Sequence, residues 1–169
     1  MRHGETDSNL TKIMQVIVPW VMPPLIILMQ GHLDIPLSQT GLEQARLVAK
    51  HLAPTSFSLA ISSDLSRALK TGEAIRDGNN SFDEIEVWEV ARERCFGEMQ
   101  GQAAEVMLNA IKGKDKDQLF VWGPEGGETG EKFRERVRQF VKDLGRRVTK
   151  LEGEDSPTAV CRVRMVIGG

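Results

Sequence analysis

A chain of 169 residues fits one domain and is long enough for a sizeable core, since chains of this size bury roughly two thirds of their unfolded surface. The formal net charge is −2 with acids and bases well mixed, so the basic field that drives sequence-independent binding to nucleic acid is absent. Cys95 and Cys161 stand far apart, outside any CxxC or Cys/His ligand spacing, which argues against structural zinc and fits a reducing compartment, the cytoplasm.

In chain order, Val16 to Met29 is almost wholly apolar, yet it is too short for a membrane span and is interrupted by Pro19, Pro23 and Pro24. A signal peptide is disfavoured because Glu5 and Asp7 spoil a basic leader and no small-x-small cleavage site follows. Gly41 to Ala53 reads as a helix, with Leu42, Ala45, Val48, Ala49 and Leu52 on one face and Thr40-Gly41-Leu42-Glu43 as a capping box. Leu59 to Ser62 is a short strand, and Ser63-Asp64 can cap a helix from about Leu65 to Arg76. Ile85 to Val87 reads as a second strand, Ala91 to Gly97 as a polar loop, and Ala103 to Ile111 as a helix. Lys112 to Asp117 is expected to be a surface turn and Trp122 to Gly127 a loop. Glu131 to Val148 is the clearest amphipathic helix, through Phe133, Val137, Phe140, Val141, Leu144 and Val148; Thr158 to Ile167 would add a closing strand. Strands alternating with helices predict an α/β fold, a three-layer sandwich with a mainly parallel sheet, whose chemistry collects at the carboxyl ends of the strands.

Arg2-His3-Gly4-Glu5-Thr6 carries little weight alone, but it has company in order along the chain. Asn9 follows, then Gly31-His32-Leu33-Asp34-Ile35-Pro36-Leu37-Ser38, Ser62-Ser63-Asp64-Leu65-Ser66-Arg67, Arg92-Glu93-Arg94-Cys95-Phe96-Gly97 and Gly126-Gly127-Glu128-Thr129. Together they resemble the histidine phosphatase, or phosphoglycerate mutase-like, superfamily over most of the chain. The short separation of Glu93 from Gly127 favours a phosphatase over a mutase. The pieces around Glu93 and Pro124-Glu125-Gly126-Gly127-Glu128-Thr129 look most like the TIGAR-type fructose-2,6-bisphosphatases.

That resemblance implies a phosphatase that uses no metal and no cofactor, acts on a small phosphorylated metabolite, works as a monomer and associates with no membrane. It makes His3 the nucleophile and Glu93 the proton donor to the leaving alkoxide, then the base toward water. Arg2, Asn9 and Arg67 would hold the non-bridging phosphate oxygens, the two guanidiniums through paired donors that lysine cannot copy. His32 and His51 fall on no motif position and are expected to be structural or solvent-facing.

Three departures accompany the resemblance. The apolar strand expected before the Arg-His-Gly motif is missing, since only Met1 precedes Arg2. Val16 to Gln30 reads as an insertion, residues 16–30, with Leu25 to Leu28 apolar enough to fill the vacant strand position. At residues 161–169 Cys161-Arg162-Val163-Arg164-Met165 stands where the family carries Ser-His-Gly with a second catalytic histidine, and Arg162 and Arg164 argue against a buried closing strand. The expectation is one domain over residues 1–169, incomplete at both ends, with impaired catalysis or none.

Overall fold

The computed structural model describes residues 3–6, 28–154 and 163–166. Among the described residues the sheet has three parallel strands in the order β2-β1-β3, where β1 is Leu59–Ser62, β2 is Glu86–Val87 and β3 is Val163–Val166. β1 runs beside β2 through Ile61 opposite Glu86, and beside β3 through Leu59 opposite Val163 to Ser62 opposite Val166. The strand expected over Thr158 to Ile167 is thus present at Val163–Val166, and Arg164 does not prevent its pairing with β1. Both flanks of β1 are occupied. The backbone of β3 takes one of them; Leu28 of the segment proposed to fill a strand position instead forms an isolated antiparallel bridge with Ala103, and Leu25, Ile26 and Ile27 lie outside the described residues.

Alternation along β1 sends Leu59 and Ile61 to one side, where they pack with Ala91 and Phe140 and are flanked by Trp88, Leu144 and Val148. Phe140 and Leu144 belong to α5 (Gly130–Glu154), and Trp88 meets the Phe140 ring edge-on at 5.7 Å. The other face of β1 is left to α2 (Ser66–Asp77), which packs in turn on α1 (Gln39–Leu52) around Ala49, Phe57, Ala68 and Ile75. Two helical layers therefore cover one sheet, as expected. The amphipathic stripe of α5 is buried unevenly. Phe140 is buried, but Val137 is 40 % and Val141 59 % exposed.

Helix boundaries show where the local reading falls short. α1 starts two residues early because Ser38, with an extended backbone, accepts the Gly41 N–H at 3.0 Å, so Ser38 and not a Thr40 box is its cap. α2 takes no cap from Ser63 or Asp64. The Asp34 carboxylate reaches across from another loop and accepts from the Ser66 N–H and hydroxyl, both at 2.7 Å. The expected turn over Lys112 to Asp117 contains the start of a helix, α4 (Lys116–Val121), whose Asp115 and Gln118 form a complete capping box. α3 spans Ala104–Ile111. Among the described residues no helix is long and apolar enough to cross a membrane.

Candidate active site

His3 is 7 % exposed and lies in a segment that crosses the first turn of α1. The crossing is a close backbone approach, which explains two glycines at once. A Cβ on Gly4 would lie 2.5 Å from the Gly41 carbonyl oxygen, and one on Gly41 would lie 1.9 Å from the Glu5 carbonyl oxygen. Thr6 then bridges to Leu37, the Ser38 N–H donates to the Glu5 carbonyl at 2.9 Å, and the Glu5 N–H donates to Gln44 Oε1 at 2.8 Å.

The His3 ring has Nδ1 at 2.5 Å from the Gly4 carbonyl oxygen. A carbonyl only accepts, so this contact places a proton on Nδ1, and in the neutral ring the lone pair is then on Nε2, the state a nucleophilic imidazole requires. His3 opens on a pocket of about 280 Å³ with Gly4, Gln44, Ala45, Val48 and Thr71.

Arg67 is fully buried on α2, and its terminal nitrogens donate to backbone carbonyls, Nη1 to Leu33 at 2.7 Å and Nη2 to Gly31 at 2.8 Å. This guanidinium thus ties the Gly31-His32-Leu33 loop to the start of α2. Gly31 makes that loop possible: its φ is +52° and a side chain there would strike Gln100. Arg2 and Asn9 lie outside the described residues.

Glu93 follows the carboxyl end of β2 on a loop held by charge. Arg136 of α5 donates to both Glu128 oxygens, at 2.7 and 2.6 Å, and to the carbonyls of Val90, Arg92 and Glu93 at 2.9, 2.7 and 2.8 Å. Glu128 also accepts the Cys95 N–H at 2.8 Å, and Arg94 donates to the carbonyls of Glu128 and Trp122. Burial pushes the Glu128 carboxyl up, but the Arg136 guanidinium, the Cys95 N–H and nearby His32 outweigh it and hold the group below its ordinary range. Asp64, at the end of β1, pairs through both oxygens with Arg92, whose hydrogen bond lowers its pKa against the opposing pull of burial.

Glu93 is not among the residues that line this pocket with His3, yet a continuous set of hydrogen bonds joins the two. The Gly4 N–H donates to Thr71 Oγ1 at 3.3 Å, and that hydroxyl donates to the Arg67 carbonyl at 2.8 Å. Arg67 holds Gly31 and Leu33, and the His32 ring reaches the Glu93 carbonyl through Nε2 at 2.8 Å. His32 is thus structural and His51 is exposed in the last turn of α1, the two alternatives expected for these histidines. Thr71, His32 and Arg136 escaped the sequence reading, because their partners lie 67, 61 and 43 to 46 residues away.

Against known proteins, the family profile described as histidine phosphatase superfamily (branch 1) matches residues 23–155. The chain belongs to the histidine phosphatase superfamily. Arg67 and Glu93 lie within the matched range, and His3 precedes it. The chain is 34 % identical over 155 residues to fructose-2,6-bisphosphatase TIGAR B of Danio rerio, covering 90 % of itself and 54 % of that protein. With fructose-2,6-bisphosphatase TIGAR of Xenopus tropicalis the identity is 35 % over 150 residues, covering 88 % and 49 %. This superfamily member thus spans about half the length of the curated relatives it matches. Among solved structures it resembles a mycobacterial glucosyl-3-phosphoglycerate phosphatase in complex with VO3, with a TM-score of 0.71 and 27 % identity over 99 % of this chain and 72 % of that one. The α/β fold with its parallel sheet is the histidine phosphatase fold.

Proposed function

We propose that this chain is a metal-independent phosphatase that hydrolyses a sugar or glycolytic phosphate, with fructose-2,6-bisphosphate favoured, through a phosphohistidine on His3. The observation that carries the reading is the His3 ring, buried beside a pocket and held through Nδ1 on the Gly4 carbonyl so that Nε2 keeps its lone pair. In the first step Nε2 attacks phosphorus, the ester P–O bond breaks, and its electron pair leaves on the alkoxide, which takes the Glu93 carboxyl proton. In the second, water attacks phosphorus while the Glu93 carboxylate takes a water proton, and the P–N bond breaks with its electron pair returning to Nε2, which restores both residues to their starting states. Arg2, Asn9 and Arg67 supply donors and positive charge to the phosphoryl oxygens. The relatives named for fructose-2,6-bisphosphate favour that substrate; the solved glucosyl-3-phosphoglycerate phosphatase supports a glucosylated phosphoglycerate as the other.

The same reading makes the protein a cytoplasmic monomer, one domain over residues 1–169 with an insertion at 16–30, acting on a small metabolite without nucleic acid or membrane. Its turnover is lowered because residues 161–165 carry no histidine where the family has one; losing one such preorganised donor commonly costs about 100- to 1000-fold. Phosphate release from fructose-2,6-bisphosphate and from glucosyl-3-phosphoglycerate, measured for the natural chain and for His3→Ala, tests this. Release that disappears in His3→Ala is expected, and equal release in both would end the reading. The departure at 161–165 also favours a second reading, a phospholigand-binding protein without turnover, which calorimetric binding of the two sugar phosphates with no phosphate release would establish.

A further inference from the structure

The Glu93 carbonyl accepts two side-chain hydrogen bonds, from Arg136 Nη2 and from His32 Nε2, each at 2.8 Å. A carbonyl oxygen offers two lone pairs, so these donors fix the peptide plane that begins at Glu93 from two directions. The directions differ in origin. Arg136 comes from α5 and ties Glu93 to the helix and to Glu128. His32 comes from the loop that Arg67 and Asp34 fasten to the start of α2, and α2 reaches the His3 segment through Thr71. The Asp64–Arg92 pair also ties this loop to the residues before α2, but the His32 bond is the one that reaches Glu93 itself from the side of His3.

The chemistry of the ring is determined by its partner. Because the Glu93 carbonyl cannot donate, His32 carries its proton on Nε2. The ring is held from behind by its own backbone N–H, which donates to Gln100 Oε1 at 2.6 Å.

We propose that His32 is a positioning residue that sets the Glu93 carboxyl relative to the phosphoryl group on His3. This rests on the reading of Glu93 as the proton donor. Without the His32 bond Glu93 stays attached to α5 and Arg92 stays paired with Asp64, but the Glu93 peptide loses the bond that fixes its plane from the side of the nucleophile. Misplacement of a reacting group on the ångström scale costs on the order of 100-fold in rate.

The test compares His32→Leu, which has no donor, with His32→Gln, whose amide N–H can reach the same carbonyl. Substrates are an alkyl phosphate, whose leaving group needs a proton, and 4-nitrophenyl phosphate, whose leaving group does not. His32→Leu should lose about 10- to 100-fold in kcat on the alkyl ester and little on the aryl ester, with His32→Gln near the natural chain on both. Carbon-13 titration of the glutamate carboxyls, with Glu93→Gln assigning the resonance, reads the same displacement without turnover: the Glu93 midpoint should move in the Leu variant and return in the Gln variant. Equal losses on both esters, or a Glu93 titration unchanged in His32→Leu, would overturn the proposal, and in a chain without turnover the titration alone decides. If His3→Ala abolishes phosphate release while His32→Leu matches the natural chain, the positioning role fails alone; if His3→Ala changes nothing, the reading beneath it fails.

Discussion

The loop that carries Glu93 is fastened by charged side chains, whereas the segment that carries His3 is fastened by backbone fit. Around Glu93, the guanidiniums of Arg94 and Arg136 and the Glu128 carboxylate satisfy five backbone carbonyls and one N–H. Around His3, two glycines let one backbone pass over another, and a neutral donor, the Ser38 N–H, and a neutral acceptor, the Thr71 hydroxyl, complete the seat. The first device concentrates stability in a few ions that must stay paired. The second contributes little energy per contact but leaves no room for a single added methyl group.

If that contrast is right, the largest stability loss comes from Arg136→Met. The substitution leaves the Glu128 carboxylate, whose side chain is 18 % exposed, without its guanidinium, and it strips three carbonyls of a donor. Breaking such a pair from one side costs about 3 kcal/mol or more, read as a shift of the urea midpoint. A loss near 0.5 kcal/mol, the scale of a solvated surface pair, would erase the contrast.

Gly41→Ala should do the reverse. Its Cβ would lie 1.9 Å from the Glu5 carbonyl oxygen, which is backbone and cannot rotate away, so the His3 segment must lift from α1. Alanine suits a helix better than glycine by about 0.5 to 1 kcal/mol, which offsets part of the overpacking cost of about 1 to 3 kcal/mol. The expected outcome is a stability loss of about 1 to 2 kcal/mol with phosphate release largely abolished. Natural release rates in Gly41→Ala would show that the close crossing does not position His3.

The two devices also differ in how far the sequence exposed them. α5 and β1 could be read from periodicity because their apolar residues recur on one face, and the motif order led to the fold. The supports of the site could not be read that way. Asp34 caps a helix that starts 32 residues later, and nothing in the local pattern distinguishes it from Asp64, which turns to Arg92 instead. The α4 helix did carry a local signal, Asp115 with Gln118, hidden within a charge run that resembles a turn. For His32 the choice between a structural and a solvent-facing ring stayed open, because a ring that holds a carbonyl 61 residues away leaves no spacing to detect.

The smallest expected effect concerns pH and sharpens the contrast most finely. Asp64 and Glu128 both fasten the Glu93 loop, and both have carboxyls held below their ordinary range. In the folded state each stays ionised where the unfolded chain already binds a proton, so each contributes stability at neutral pH that is lost progressively below about pH 5, as pH falls through the folded pKa. Asp64→Asn removes one of the two contributions. Its side chain is 35 % exposed and that of Arg92 23 %, so solvent screens the pair and the loss at neutral pH should be about 1 kcal/mol or less. The variant should therefore lie slightly below the natural chain at pH 7 and approach it at pH 3, a narrowing measured by urea unfolding at the two values. Because the fit of Gly4 against Gly41 involves no titrating group, Gly41→Ala should instead keep the same separation from the natural chain at both pH values. A pH-independent gap for Asp64→Asn, or a gap for Gly41→Ala that closes in acid, would show that the two halves of the site are not held by different forces.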